Sequence, residues 1–282
     1  MVRPAGRLVA TFVVTAASLL VVALLAHAAE AAAPTYPLVP VVGVTGSPIC
    51  DPLGDESPTT VDMACNTSGA SAYAGSDGTT ISFGFVLAAD PRTGGVSAPL
   101  DGGNYNVQLA VNGVWVATVG VLAKGGNATD TIYAKCAGAL TDNYTKSAAQ
   151  AITDGELSVV ADGTLFRMTF TVPLSSLATC GITASTPVQM FFGTGTNNND
   201  PEALNKDLFI GNTVNFNVVP PITFAGSLAL AKTATFVSGA NPPVVGQVST
   251  YDLAVTATAQ SLYTLTNVSI TDTLPAGVTI VS

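Results

Sequence analysis

The chain has 282 residues, a formal net charge of −9 and only 10% charged residues, against about 25% in an average soluble domain. Nine Lys and Arg stand against eighteen Asp and Glu with no basic run, which excludes a phosphate-tracking nucleic-acid surface. His27 is the single histidine, and it lies in an N-terminal segment expected to be removed, so His-dependent catalytic triads and His-ligated metal sites are excluded from the mature chain.

Arg3 and Arg7 precede an apolar stretch from Leu8 to Ala26, and Ala26-His27-Ala28 and Ala29-Glu30-Ala31 are small-x-small cleavage sequences. Residues 1–33 therefore read as a signal helix, the signal peptide of a secreted or cell-surface protein. Left uncleaved, the same stretch is long enough to act as a membrane anchor. Either way the rest of the chain is expected outside the cytoplasm, with no membrane contact after cleavage. Residues 34–46, with Pro34, Pro37, Pro40, Gly43 and Gly46, read as an extended lead-in.

Residues 47–219 read as an all-β domain, a β-sandwich. Ile81, Phe83, Phe85 and Leu87 alternate with small or polar residues, as a half-buried strand requires. Tyr105 to Val111, Asn112-Gly113 and Val114 to Val121 form the strongest short hairpin signal, because a type I′ turn needs positive φ at both central positions. A two-residue turn sets Val111 opposite Val114 and puts Trp115, Val119 and Val121 on the other face. A second hairpin runs from Leu157 to Ala161, through Asp162-Gly163, to Phe166–Val172. Further strands are expected at Ile132–Cys136, Val188–Phe192 and Val214–Val219, and one short helix at Lys146–Ile152.

Residues 220–226 read as a linker and residues 227–282 as a new unit. Leu228-Ala229-Leu230-Ala231-Lys232 opens it, Gly246 marks a loop, and Tyr251, Leu253 and Val255 alternate along a strand. Asn267-Val268-Ser269-Ile270-Thr271-Asp272-Thr273-Leu274-Pro275-Ala276-Gly277 follows. This segment resembles the immunoglobulin-like repeat of bacterial surface proteins catalogued as domain of unknown function eleven. The resemblance implies a repetitive exported surface protein and supplies no catalytic residues. The repeat is expected to continue beyond Gly277, so the unit reads as a partial, truncated repeat. More faintly, the first domain resembles exported β-sandwich modules, some of which bind sugars or calcium, on Asp51-Pro52-Leu53-Gly54-Asp55, Asp62 and the stretch from Gly193 to Asp207.

Cys50, Cys65, Cys136 and Cys180 make an even set after a signal sequence, which reads as two disulfides with three connectivities. Joining neighbours in sequence favours Cys50–Cys65 and Cys136–Cys180. A four-thiolate zinc site and free buried thiols are the competing readings; the absence of C-x-x-C weighs against zinc.

Three constellations carry candidate chemistry. Asp51, Asp55 and Asp62, with Glu56, crowd beside two cysteines, and a pinned loop of carboxylates suits calcium, with Asp200 or Asp207 completing the oxygen shell. The alternative is turn chemistry, since no D-x-D-x-D-G loop is present, and the expected cofactor is none. Glu56, Glu156 and Glu202 are the glutamates a hydrolase would have to use. Trp115 with Tyr73, Tyr105, Tyr133 and Tyr144 would form either a glycan-stacking platform or part of the core. Asn66, Asn127, Asn143 and Asn267 lie in N-x-S/T sequons, which matter only in a glycosylating pathway. The favoured function is a non-enzymatic structural or adhesive surface protein with protein or glycan partners. The alternative is a carbohydrate-binding module, calcium-stabilised.

Overall fold

The computed structural model describes residues 34, 36–92, 100–123, 130–196, 202, 204–209, 214–224, 228–236 and 249–257. The expected signal segment 1–33, Asp200, Asn127, and the terminal motif 267–277 lie outside the described residues.

Two five-stranded antiparallel sheets carry the fold. In the first, β1 (Val39–Pro40), β2 (Ala72–Ser76), β3 (Thr80–Leu87), β9 (Leu165–Pro173) and β8 (Leu157–Asp162) lie side by side in that order. In the second the order is β10 (Gln189–Gly195), β4 (Gly103–Val111), β5 (Val114–Ala123), β6 (Thr131–Cys136) and β7 (Tyr144–Ser147). The period-2 pattern read along the sequence places one face of each sheet in a common core. Ile81, Phe83, Phe85 and Leu87 of β3 and Met168, Phe170 and Val172 of β9 meet Tyr105, Val107, Leu109, Val119, Val121 and Phe192 from the second sheet. Phe85 sits at the seam, with ring centroids 5.2 Å from Phe192 and 6.1 Å from Tyr105. The result is sandwich-like, as the sequence led us to expect. A separate antiparallel pair joins β11 (Leu228–Phe236) to β12 (Ser249–Ala257), with Leu230 opposite Val255 and Lys232 opposite Leu253.

The first turn is built as read, and the second is centred one residue later than Asp162-Gly163. Asn112 (φ 52°) and Gly113 (φ 76°) both take positive φ, and Val111 faces Val114. In the second hairpin Asp162 pairs with Leu165, so Gly163 (φ 69°) is the first central residue of the turn, the position where a II′ turn needs glycine. The short helix α1 is Ala148–Asp154, ended by Gly155 in the left-handed conformation; Lys146 belongs to β7 instead.

Several expectations are corrected. Val119 and Val121 do not share the outer face with Trp115. The register shifts beside Leu109/Ala110, where Ala110 pairs with Trp115 and Leu109 with Ala117. Val116 is the extra residue of this bulge, and the slip turns Ala117, Val119 and Val121 into the core. Val214–Val219 is not a strand. Phe216–Val218 is a 3₁₀ turn whose start is capped by the Asn215 side chain accepting from the Asn217 N–H (3.0 Å), a local bond that competes with strand pairing.

The described residues of the lead-in and of the linker are parts of the two-sheet body. The Tyr36 hydroxyl bonds the Ser82 and Thr80 hydroxyls at 2.9 and 3.0 Å, and β1 pairs with β2. Leu38 packs on an outer-face cluster of Ala64, Ala70, Tyr73, Val86 and Leu165. Gly75 permits this cover: a Cβ there would stand 2.9 Å from both the Leu38 side chain and the Pro37 carbonyl. At the other end Ile222 exchanges backbone hydrogen bonds with Val188, and Phe224 is fully buried. Apolar side chains on both flanks find uncovered sheet surface, which short-range pattern does not reveal.

Both expected cysteine pairs are bridged. Cys50 and Cys65, 15 residues apart, have Cα atoms 5.0 Å apart; Cys136 and Cys180, 44 residues apart, have Cα atoms 5.1 Å apart. Cys136 ends β6 and Cys180 ends the 3₁₀ helix Leu174–Cys180, so this bridge ties that helix to the second sheet.

Candidate functional site

The acidic loop after Cys50 is held from several sides. The Cys50–Cys65 bridge closes it, the Cys65 N–H donates to the Asp51 carbonyl (3.1 Å), and the Asp51 N–H donates to Ser71 Oγ (2.7 Å). Gly54, at φ 87°, turns the chain toward Asp55, and its N–H donates to Asp62 Oδ2 (2.9 Å). Asp62 is wholly buried, and the next residue, Met63, pairs with Leu87 at the end of β3.

Asp207 enters the same place from far along the sequence. Its segment runs beside β10: the Thr194 N–H donates to the Asp207 carbonyl (2.8 Å), the Asp207 N–H donates to Thr194 Oγ1 (3.2 Å), and Leu208 bridges Gly193. Thr194 Oγ1 in turn donates to the Val61 carbonyl (2.6 Å), and the Met63 N–H donates to Asp207 Oδ2 (2.5 Å). Gly193 makes the approach feasible, since a Cβ there would lie 2.8 Å from the Leu208 side chain and 3.0 Å from the Asp207 carbonyl.

One carboxylate oxygen from each of Asp51, Asp55 and Asp207 therefore lies within 4.8 Å of the others. The expected trio is changed in one member. Asp207 takes the place given to Asp62, whose Oδ2 is bound to the Gly54 N–H. Asp51 and Asp207 are 5% and 3% exposed, while Asp55 is exposed to solvent. The group lines a cavity of about 530 Å³ whose wall also includes Glu56, Leu204, Asn205 and Lys206. Leu204, Asn205 and Lys206 lie in the Gly193–Asp207 stretch on which the faint resemblance rests, and the pairing of their segment with β10 brings them here.

Burial, followed by repulsion from Asp207 and Asp55, pushes the Asp51 carboxyl up to about 8. Burial also pushes Asp207 up to about 6, against the opposing Met63 N–H. Asp62 is raised as well, burial again being the first cause. Among the described residues the ion pairs lie elsewhere: Arg92–Asp90, Lys135–Glu202 and Lys146 with both Asp154 and Glu156. Two of the three glutamates weighed for hydrolysis, Glu156 and Glu202, are thus engaged by lysines.

The aromatic side chains do not assemble a platform. Tyr105 and Tyr133 are buried, with hydroxyls donating to the Thr60 carbonyl and to Asn106 Oδ1. Tyr73 is buried on the outer face beneath the Arg167 guanidinium, 5.4 Å from the ring centroid. Trp115 is half-buried and donates to the Ala117 carbonyl (2.9 Å), and half-buried Tyr144 reaches Glu156. Asn66, the first sequon residue, spends its amide on the Tyr73 hydroxyl (2.7 Å) and Asp162 Oδ2 (2.9 Å).

No family model, curated protein or solved structure matches this chain. Among the described residues no helix is long and apolar enough to cross a membrane.

Proposed function

We propose that this chain is an exported, non-catalytic structural protein, with its β-sandwich serving as a spacing, display or adhesion module at the cell surface or in the extracellular medium. The carrying observation is the joining of all four cysteines in two bridges, a device that is rare where thiols are kept reduced. The apolar N-terminus flanked by Arg3 and Arg7 supports the same compartment. The Leu228–Lys232 and Asn267–Gly277 motifs support membership of the C-terminal segment in the immunoglobulin-like surface repeat. The aromatic side chains stabilise the core and the outer-face cluster, so a structural role accounts for them more directly than glycan stacking does.

The test is protease treatment of intact cells expressing the tagged full chain, together with assay of the culture medium. Removal of the sandwich by external protease, or its recovery from the medium, is expected. Retention inside the cell, protected until lysis, would overturn the proposal.

A further inference from the structure

The β4–β5 turn holds the chain's single Asn-Gly pair, Asn112-Gly113, and both residues are exposed to water. Glycine has no Cβ to obstruct the approach of the preceding side chain to its backbone nitrogen. The bond that closes a two-residue turn joins the flanking residues, here the pair Val111 and Val114, and makes no use of the second central N–H. In this protein that N–H is taken: Gly113 donates to Gln189 Oε1 at 2.8 Å. Gln189 Nε2 in turn donates to the Phe216 carbonyl at 2.9 Å. Only one setting of the Gln189 amide satisfies both partners, since an N–H needs an acceptor and a carbonyl needs a donor.

The brace joins three separate stretches of chain. Gln189 opens β10 and pairs with Ala110 of β4. Its neighbour Met190 points into the core, so Gln189 stands on the outer face of the sheet. A glutamine there would ordinarily be hydrated, yet this one is 8% exposed and has both ends of its amide engaged. Phe216 begins the 3₁₀ turn that Asn215 caps. Asn217 of the same turn reaches the hairpin as well, its Oδ1 lying 3.8 Å from where a Cβ on Gly113 would stand.

We infer that Asn112 is a latent deamidation site and that Gln189 is the positioning residue that keeps it closed in the folded chain. In the reaction, the Gly113 nitrogen loses its proton to hydroxide and attacks Asn112 Cγ. The new N–C bond closes a cyclic imide as the Cγ–Nδ2 bond breaks, and Nδ2 takes a proton from water and leaves as ammonia. Water then opens the imide at either carbonyl, giving aspartate or isoaspartate. The attack needs a nitrogen free of its proton and about 3–3.5 Å from Cγ in line with the carbonyl carbon. The bond to Gln189 opposes both, since it holds the proton and fixes the peptide plane between Asn112 (φ 52°) and Gly113 (φ 76°). Closure protects the fold: isoaspartate routes the main chain through Cβ, and a lengthened turn no longer sets Val111 opposite Val114. This inference does not depend on the cellular location proposed above.

The test ages the oxidised full chain in warm, mildly alkaline buffer and resolves the Asn112 peptide into its asparagine, aspartate and isoaspartate forms by chromatography and mass spectrometry. The reduced chain in urea gives the unbraced rate, and the folded parent is expected to be at least about tenfold slower. Gln189→Met keeps the side chain's length and removes both hydrogen bonds, so it should raise the folded-state rate about two- to tenfold, the worth of one lost hydrogen bond. Phe85→Leu, in the shared core among Phe170, Phe192 and Tyr105, separates bracing from general destabilisation and should keep the parent's rate. Hydrogen exchange at the Gly113 amide of the parent needs no variant. It should be slower than in the unfolded chain by about tenfold or more, although the residue is exposed. If Gln189→Met does not fold, that exchange rate decides. Equal deamidation in the folded and unfolded parent, no change in folded Gln189→Met, equal acceleration in Phe85→Leu, or Gly113 exchange at the unfolded rate would each overturn the inference.

Discussion

Replacing Phe85 tests whether the two sheets share one core. The side chain is fully buried and touches rings from both sheets: Phe170 at 6.3 Å in its own sheet, Phe192 at 5.2 Å and Tyr105 at 6.1 Å in the other. Phe85→Ala removes the ring from a packed interior, which costs about 3–5 kcal/mol through lost transfer energy and the cavity left behind. That is a large share of a total stability of about 5–15 kcal/mol. The assay is urea unfolding of the oxidised chain followed by fluorescence of Trp115, the only tryptophan. Trp115 lies in β5 of the second sheet, so it reports on the sheet that was not mutated. Leu140→Ala, at a fully exposed residue, is the control and should stay within about 0.5 kcal/mol. A double-mutant cycle on Phe85→Leu and Phe192→Leu should give a coupling of about 0.5–1.5 kcal/mol, the contribution of an aromatic pair beyond area burial. A Phe85→Ala loss no larger than that of Leu140→Ala, or no coupling across the sheets, would refute the shared core.

Gly193→Ala should cost about 1–3 kcal/mol in the same unfolding assay, because the new Cβ meets the Leu208 side chain at 2.8 Å and the Asp207 carbonyl at 3.0 Å; unchanged stability would contradict the close approach. Replacing Cys136 and Cys180 by serine should cost about 4 kcal/mol and replacing Cys50 and Cys65 about 3 kcal/mol on loop entropy, so the 44-residue loop is expected to give the larger loss in paired denaturation curves. Asp90 is held below the usual carboxylate range by its hydrogen bonds with Arg92. Its folded pKa lies below the unfolded one, so its contribution is present above about pH 4 and disappears as pH falls through the folded value. Asp90→Asn should therefore lower stability at pH 7 by up to about 1 kcal/mol for this partly exposed pair, with a loss that shrinks as pH falls through the folded value; a loss independent of pH would point to packing.

The fold was most legible where chemistry is local. Asn112-Gly113 has to form a tight turn because both residues need positive φ, and the strands on either side follow from it. The cysteine pairs also followed from neighbours in sequence. The faces of Val119 and Val121 were misread because one extra residue, Val116, reverses every side chain beyond it, and nothing in the alternating pattern marks the bulge. Tyr36, Leu38, Ile222 and Phe224 were hidden for a different reason: their places are set by sheet surfaces formed by distant strands. The acidic group combines both cases. Asp51 and Asp55 stand together in the sequence, and Asp207 was one of two distant aspartates weighed with them. Its arrival depends on pairing with Thr194, while Asp62 accepts from the Gly54 N–H.

The central claim is that this protein works, oxidised and folded, outside the cytoplasm. The most direct measurement is a non-reducing peptide map of the full chain recovered separately from the extracytoplasmic and cytoplasmic fractions of the same culture, with free thiols alkylated at harvest. The account predicts recovery outside the cytoplasm with peptides linked Cys50–Cys65 and Cys136–Cys180. Recovery in the cytoplasm with all four cysteines alkylated would contradict it.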